Sequence, residues 1–366
     1  MLPQYNQLDI TKYSMKYGYY TLGIFETHRK DIDFIYLRME ANSSNFVPHN
    51  EENYDWLQSA IEINLKNKKI VCIIPWDEHI VFIKNYQLSN ILNRFINEPV
   101  YWITNIEENA NTYKSYHNIQ IKMIELPWWL LNDCLTYYRV ANTEPNEYVY
   151  SKSYISMVGN AWYPHKFELI RQLQKYNLSQ YGINTAAKLQ DIPQDLTNTV
   201  VLNPIPPYAE WNPQYQKMAA QKQINGIWIS SNVENYLKIN EHYPSIPLVI
   251  NAETVMIPLF VTEKSIWPIL LGRMFILYGR PRLIEYVQRF YDIPIDKFSN
   301  IEYDSINGYL LEDQLYRLEC LITKNKELIK YSNDLYVKLK PELEAARWTF
   351  GKNMYRYFTE QICKIV

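Results

Sequence analysis

The run Ile70-Val71-Cys72-Ile73-Ile74 restricts the fold more than any other feature of this chain. Five consecutive apolar residues leave no polar face, so a strand made from them must be covered on both sides, as in a parallel sheet sheathed by helices. Apolar residues at helical spacing stand before it at 53–65 and after it at 88–96. The alternation continues along most of the chain. Further strands are expected at 33–39, 100–104, 119–124, 154–158, 226–230, 248–251 and 273–278. Further helices are expected at 164–176, 233–239, from Glu263 onward and at 281–290, with a wholly helical tail from Leu311 that sets Leu311, Leu315, Leu318 and Leu321 on one face.

At 366 residues the chain exceeds one ordinary core, and the polar stretch 142–147 marks a boundary. The expected organisation is an α/β domain over 1–150, a second α/β domain over 151–310 and a helical tail over 311–366 that packs back on them. Two open α/β sheets bind ligands at the carboxyl ends of their strands, so an interdomain cleft is the expected site.

Several function classes are excluded directly. The nine glycines contain no G-x-G pair, which removes the dinucleotide fingerprint, and Gly18 and Gly23 are followed by Ile24 and Phe25 where a P-loop needs Lys and Ser or Thr. Neither a G-x-S-x-G elbow, an H-E-x-x-H helix nor a paired C-x-x-C occurs. A net charge of −2 provides no general attraction to polyphosphate. Cys72, Cys134, Cys320 and Cys363 lie far apart and read as separate thiols, which fits a reducing, cytoplasmic setting. No signal-peptide core and no membrane-length apolar stretch is present; the longest, 266–278, is interrupted by Gly272 and Arg273.

The segment 249–281 carries the chemistry. Thr262 is placed to cap the helix that follows, and the amides and dipole of a helix start suit a phosphate. Lys264 adds a positive charge there, and Glu263 can accept hydrogen bonds from ribose hydroxyls; both residues also suit an ordinary solvated first turn. For a proton-abstracting carboxylate, Asp77 and Glu78 follow the most apolar strand of the first domain and lead the candidates, with Glu107, Glu108 and His79 behind them. Asp31 and Asp33 have D-x-D spacing, but the lysine-bearing helix start supplies charge without a metal, so no metal and no cofactor is expected.

The sequence FVTEKSIWPILLGRMFILYGRP at 260–281 resembles the Thr-Glu-Lys donor-site motif of the family 10 fucosyltransferases and of related glycosyltransferase-like proteins of phages and large viruses. The likeness spans about 249–305, including IEYDSI at 301–306, and GNAWYPHKFELIRQL at 159–173 is similar to the viral relatives. The resemblance implies a GT-B fold of two Rossmann-like domains and metal-free, inverting transfer of a sugar from a nucleoside diphosphate to an acceptor hydroxyl. It implies that Glu263 meets the ribose and Lys264 the diphosphate, and that Asn160, His165 and Lys166, with Arg171, lie where a second diphosphate contact belongs. The acceptor is a glycan or, in a virus, a hydroxymethylated DNA base; a non-catalytic nucleotide- or carbohydrate-binding protein on the same fold is the alternative. Ile250-Asn251-Ala252-Glu253 stands where the fucosyltransferases carry Phe-Glu-Asn-Ser, so no particular base or sugar is implied.

Overall fold

The computed structural model describes residues 29–37, 55–75, 86–104, 118–127, 152–159, 164–186, 199–201, 223–224, 227–228, 246–253, 261–307 and 311–366, together with 114, 130–131 and 134. The chain divides into two units, one formed by 1–135 with 354–366 and one formed by 136–353. The division therefore precedes the polar stretch taken as the boundary, and the end of the helical tail joins the first unit.

In the first unit, strands β1 (Ile32–Leu37), β2 (Ile70–Pro75), β3 (Val100–Thr104) and β4 (Lys122–Glu125) form a parallel sheet in the order β1-β2-β3-β4. Ile32 pairs with Ile70, Val71 with Val100 and Tyr101 with Lys122. Helices α1 (Asp55–Lys66) and α2 (Tyr86–Asn93) carry the intervening connections. Leu57 and Ile61 of α1, one turn apart, pack with Leu88, Ile91, Val71 and Trp102. All four of Val71–Ile74 are sealed from solvent, and each such side chain contributes roughly 1.5–3 kcal/mol of burial free energy.

The second unit holds strands β5 (Tyr154–Gly159), β6 (Gly182–Ala186) and β7 (Thr199–Val201). A two-stranded antiparallel ladder follows, β8 (Gln223–Ile224) with β9 (Ile227–Trp228); β9 falls within the expected strand 226–230, whose other residues lie outside the described ones. Strands β10 (Leu248–Ala252) and β11 (Met274–Tyr278) complete a five-stranded parallel sheet in the order β11-β10-β5-β6-β7. The chain therefore starts in the middle of this sheet, builds outward through β6 and β7, and returns to β5's other side to place β10 and β11. The expected helix at 233–239 lies outside the described residues.

Helix α3 (Pro164–Lys175) follows β5, with proline at its first position where the missing amide costs nothing. Helix α4 (Glu263–Leu270) follows β10. It ends in a Schellman arrangement: Gly272 at φ 63°, with the Gly272 amide on the Ile269 carbonyl and the Arg273 amide on the Pro268 carbonyl, at 3.0 and 2.9 Å. This closes α4 directly onto β11. After β11 come α5 (Leu283–Gln288), α6 (Leu311–Lys324) and the 38-residue α7 (Lys326–Cys363), which is broken at Tyr331.

The early part of α7 belongs to the second unit, where Tyr336 accepts a hydrogen bond from the buried Arg273 guanidinium at 2.6 Å. Its last residues belong to the first. There Arg29 donates to the carbonyls of Ile362 and Ile365 at 3.2 and 2.6 Å, a cation on a helix C-terminus, while the same guanidinium forks onto both oxygens of Asp31 at 2.9 and 2.7 Å. The D-x-D aspartate is thus tied to a structural arginine. All four cysteines are unbridged, with Cys72 and Cys134 buried. Among the described residues, no helix is long and apolar enough to cross a membrane.

Candidate functional site

The strand order of the second unit reverses between β5 and β10. At such a reversal the connections leaving the two neighbouring strands depart in opposite directions, which opens a crevice at their carboxyl ends. The two helices that begin at this edge are α3, after β5, and α4, after β10. They are the two segments singled out in the sequence for diphosphate contact.

Glu253, the first residue beyond β10, is fully buried and holds the start of α4. One carboxylate oxygen, Oε1, accepts from the Thr262 amide at 2.9 Å and from the Ser265 hydroxyl; Oε2 accepts from the Thr262 hydroxyl at 2.8 Å. Thr262 caps the helix as its sequence position suggested, its hydroxyl oxygen accepting from the Lys264 amide at 3.3 Å, and the Ser265 amide donates to the Thr262 carbonyl at 3.1 Å. The helix start expected to offer open amides to a phosphate is therefore engaged by an internal carboxylate and by its own cap. Glu263 is the first residue of α4 and Lys264, half-buried, the second, so the positive charge at this helix start is that of Lys264.

At the start of α3, the buried His165 ring meets the other end of the same residue: its Nε2 lies 2.8 Å from the Glu253 carbonyl oxygen. A carbonyl only accepts, so the proton sits on Nε2. Burial lowers the His165 pKa from its ordinary 6.5 to about 4, and the neighbouring Lys166 adds to the lowering. His165 is thus a neutral imidazole at physiological pH, and the positive charge at the start of α3 belongs to Lys166, which is itself buried. Arg171, five residues further, is exposed and lies 3.9 Å from Glu168.

Polar side chains are also buried within the sheet itself. Ser156 on β5, Asn184 on β6 and Asn251 on β10 are each fully enclosed, and among the described residues the Asn251 amide nitrogen and oxygen have no hydrogen-bonding partner. Buried side-chain amides are ordinarily paired, and leaving one unpaired costs about 1–3 kcal/mol.

Beyond β11, Gly279 lies against Glu253. A β-carbon at Gly279 would meet Glu253 Cβ and Cγ at an ordinary 3.5 Å and crowd only the Leu283 side-chain tip, at 2.6 Å. Arg317 of α6, buried completely, donates to the Gly279 carbonyl at 2.9 Å and to the Tyr303 carbonyl at 3.1 Å, with Asp304 at 3.9 Å. Asp304 in turn accepts from the Ile284 amide at 2.8 Å, and burial raises its pKa to about 6. Two polar sets thus flank this turn: Asp304 and Arg317 hold the Gly279 carbonyl, and Glu253, packed beside Gly279, holds the starts of both helices.

Asn160, Asp77, Glu78, His79, Glu107 and Glu108 lie outside the described residues. Glu253 was quoted in the sequence only as part of a departure from a motif; an acid immediately after a strand buried on both faces, nine residues before a helix cap, was the signal for it. Among the described residues no group of His, Cys, Asp and Glu is arranged to hold a metal ion. No family model and no curated protein matches this sequence, so its functional reading rests on the residues gathered at this edge.

Proposed function

We propose that this protein is a metal-independent glycosyltransferase of GT-B type, whose second unit holds a nucleoside-diphosphate sugar at the β5–β10 switch point. The observation that carries the reading is the meeting, at that edge, of two helix starts each bearing a lysine, Lys166 on α3 and Lys264 on α4. In sugar transfer the diphosphate leaves with growing negative charge, and fixed cations facing it lower the barrier. Lys264 and Lys166 take that role, Glu263 the ribose contact, and Asp77 or Glu78 the removal of the acceptor proton. The neutral His165 positions rather than neutralises. A glycan hydroxyl fits the net charge of −2 better than duplex DNA, for which so balanced a chain provides no general attraction.

Titration calorimetry with a panel of nucleoside diphosphates tests this. Wild-type protein is expected to bind at least one of them, and Lys264→Ala to weaken that binding about tenfold or more, the loss of a charge-assisted contact, with thermal unfolding unchanged. Equal affinity in both proteins for every diphosphate would sink the assignment.

A second reading, nucleotide-sugar binding without transfer, is favoured by one observation: the buried acids of this edge, Glu253 and Asp304, are both engaged in holding the backbone. Release of free sugar or its transfer from the bound donor separates the two readings.

A further inference from the structure

We propose that Glu253 is a positioning residue which locks the two lysine-bearing helix starts into one anion-gripping arrangement. The proposal deepens the donor-site reading above and rests on it. Glu253 is held at both ends. Its carboxylate gathers the Thr262 amide, the Thr262 hydroxyl and the Ser265 hydroxyl, and the Thr262 hydroxyl in turn receives the Lys264 amide. Its main-chain carbonyl receives His165 Nε2, one residue before Lys166. Two covalently remote helices therefore take their register from a single residue at the strand end between them.

Stability alone does not account for a carboxylate here. Thr262 already caps α4 through its own side chain, and the partners of the Glu253 oxygens are an amide and two hydroxyls, all neutral. Enclosing an ionised group among neutral donors is costly, and a shorter neutral acceptor would cap the helix as well. What the glutamate adds is reach: it spans from β10 to the first turn of α4 while its carbonyl stays on α3. The grip on a diphosphate then depends on Glu253 although Glu253 itself repels anions.

The test compares nucleoside diphosphates with the matching monophosphates by calorimetry, in wild-type protein and in Glu253→Gln, with Ser265→Ala as a milder variant that removes a single donor. Wild-type protein is expected to prefer the diphosphate. Glu253→Gln should erode that preference at least tenfold and Ser265→Ala about threefold, while monophosphate affinity changes less than twofold. Parallel loss of both ligands in both variants would reduce Glu253 to a purely structural role and overturn the proposal, as would an unchanged preference. A wild-type protein that binds no nucleoside diphosphate would overturn the donor-site reading as well, whereas retained wild-type binding with an unaltered preference in the variants overturns this proposal alone.

Discussion

The two parallel sheets of this chain are built from the same kinds of element and differ in strand order and in what they enclose. The described strands of the first run β1-β2-β3-β4, in chain order, and those of the second run β11-β10-β5-β6-β7. A sheet laid down in order sends successive crossovers the same way and leaves no gap between neighbouring connections; the reversal in the second creates one. Residue chemistry follows the topology. Central β2 is sealed with Val71, Cys72, Ile73 and Ile74, whereas β10, β5 and β6 bury Asn251, Ser156 and Asn184 and, just past the end of β10, Glu253. One sheet spends its interior on cohesion and the other carries polar groups that cohesion alone does not need.

Exchanging these interiors should give the largest effects. Ile73→Asn removes a buried aliphatic chain and introduces an unpaired amide, and is expected to cost about 3–5 kcal/mol of unfolding free energy. Asn251→Leu, the reverse change in the other sheet, is expected to be neutral or to stabilise by about 1 kcal/mol while impairing nucleotide binding. Chemical denaturation of both variants checks this, and comparable destabilisation by the two would erase the distinction between the sheets.

Two titrating groups of the second unit should oppose one another. His165 stays neutral until pH falls to about 4, whereas in the unfolded chain it gains a proton near 6.5, so its contribution makes stability rise with pH across that window. Asp304 keeps its proton up to about pH 6 against an ordinary 3.8, so its contribution is present at low pH and is lost as pH rises through about 6. Each is worth on the order of 3 kcal/mol and the two nearly cancel. Denaturation curves between pH 4.5 and 6 should therefore slope downward with pH in His165→Gln, upward in Asp304→Asn, and little in the parent. Flat curves in both variants would remove these groups from the account.

The smallest expected effect belongs to the first unit. Arg29→Gln loses a charged contact at the end of α7 and should cost about 1 kcal/mol, more at low salt than at high, with nucleoside-diphosphate affinity unaltered. A change in that affinity would mean that the electrostatics of the two units are not separable.

The sequence made β2, β3, β5, β10 and β11 legible because each is a short apolar run, and α1, α3 and α4 because of their spacing or capping. It concealed β6 and β7. Gly182-Ile183-Asn184-Thr185-Ala186 places an asparagine at a fully buried position, which reads as a turn until neighbouring strands enclose it. Strand order was equally hidden, since each strand looks the same whether it joins one edge of a sheet or the other. For the site, Thr262, Lys264, His165 and Lys166 were legible as helix-start residues, and the structure brings them to one edge. Glu253 was not, because its role arises only when a strand end and two helix starts converge.

Arg317 gives the α-helical segment that follows residue 310 a different standing from that of an appendage. A chain cut at that point would keep every strand of the second sheet, yet the main-chain oxygens of Gly279 and Tyr303 would lose their shared donor and Asp304 its nearby cation. The turn beside Glu253 would then lose the buried guanidinium that ties it to the 302–304 segment, so on the donor-site reading a fragment meant to bind a nucleoside diphosphate should extend through α6.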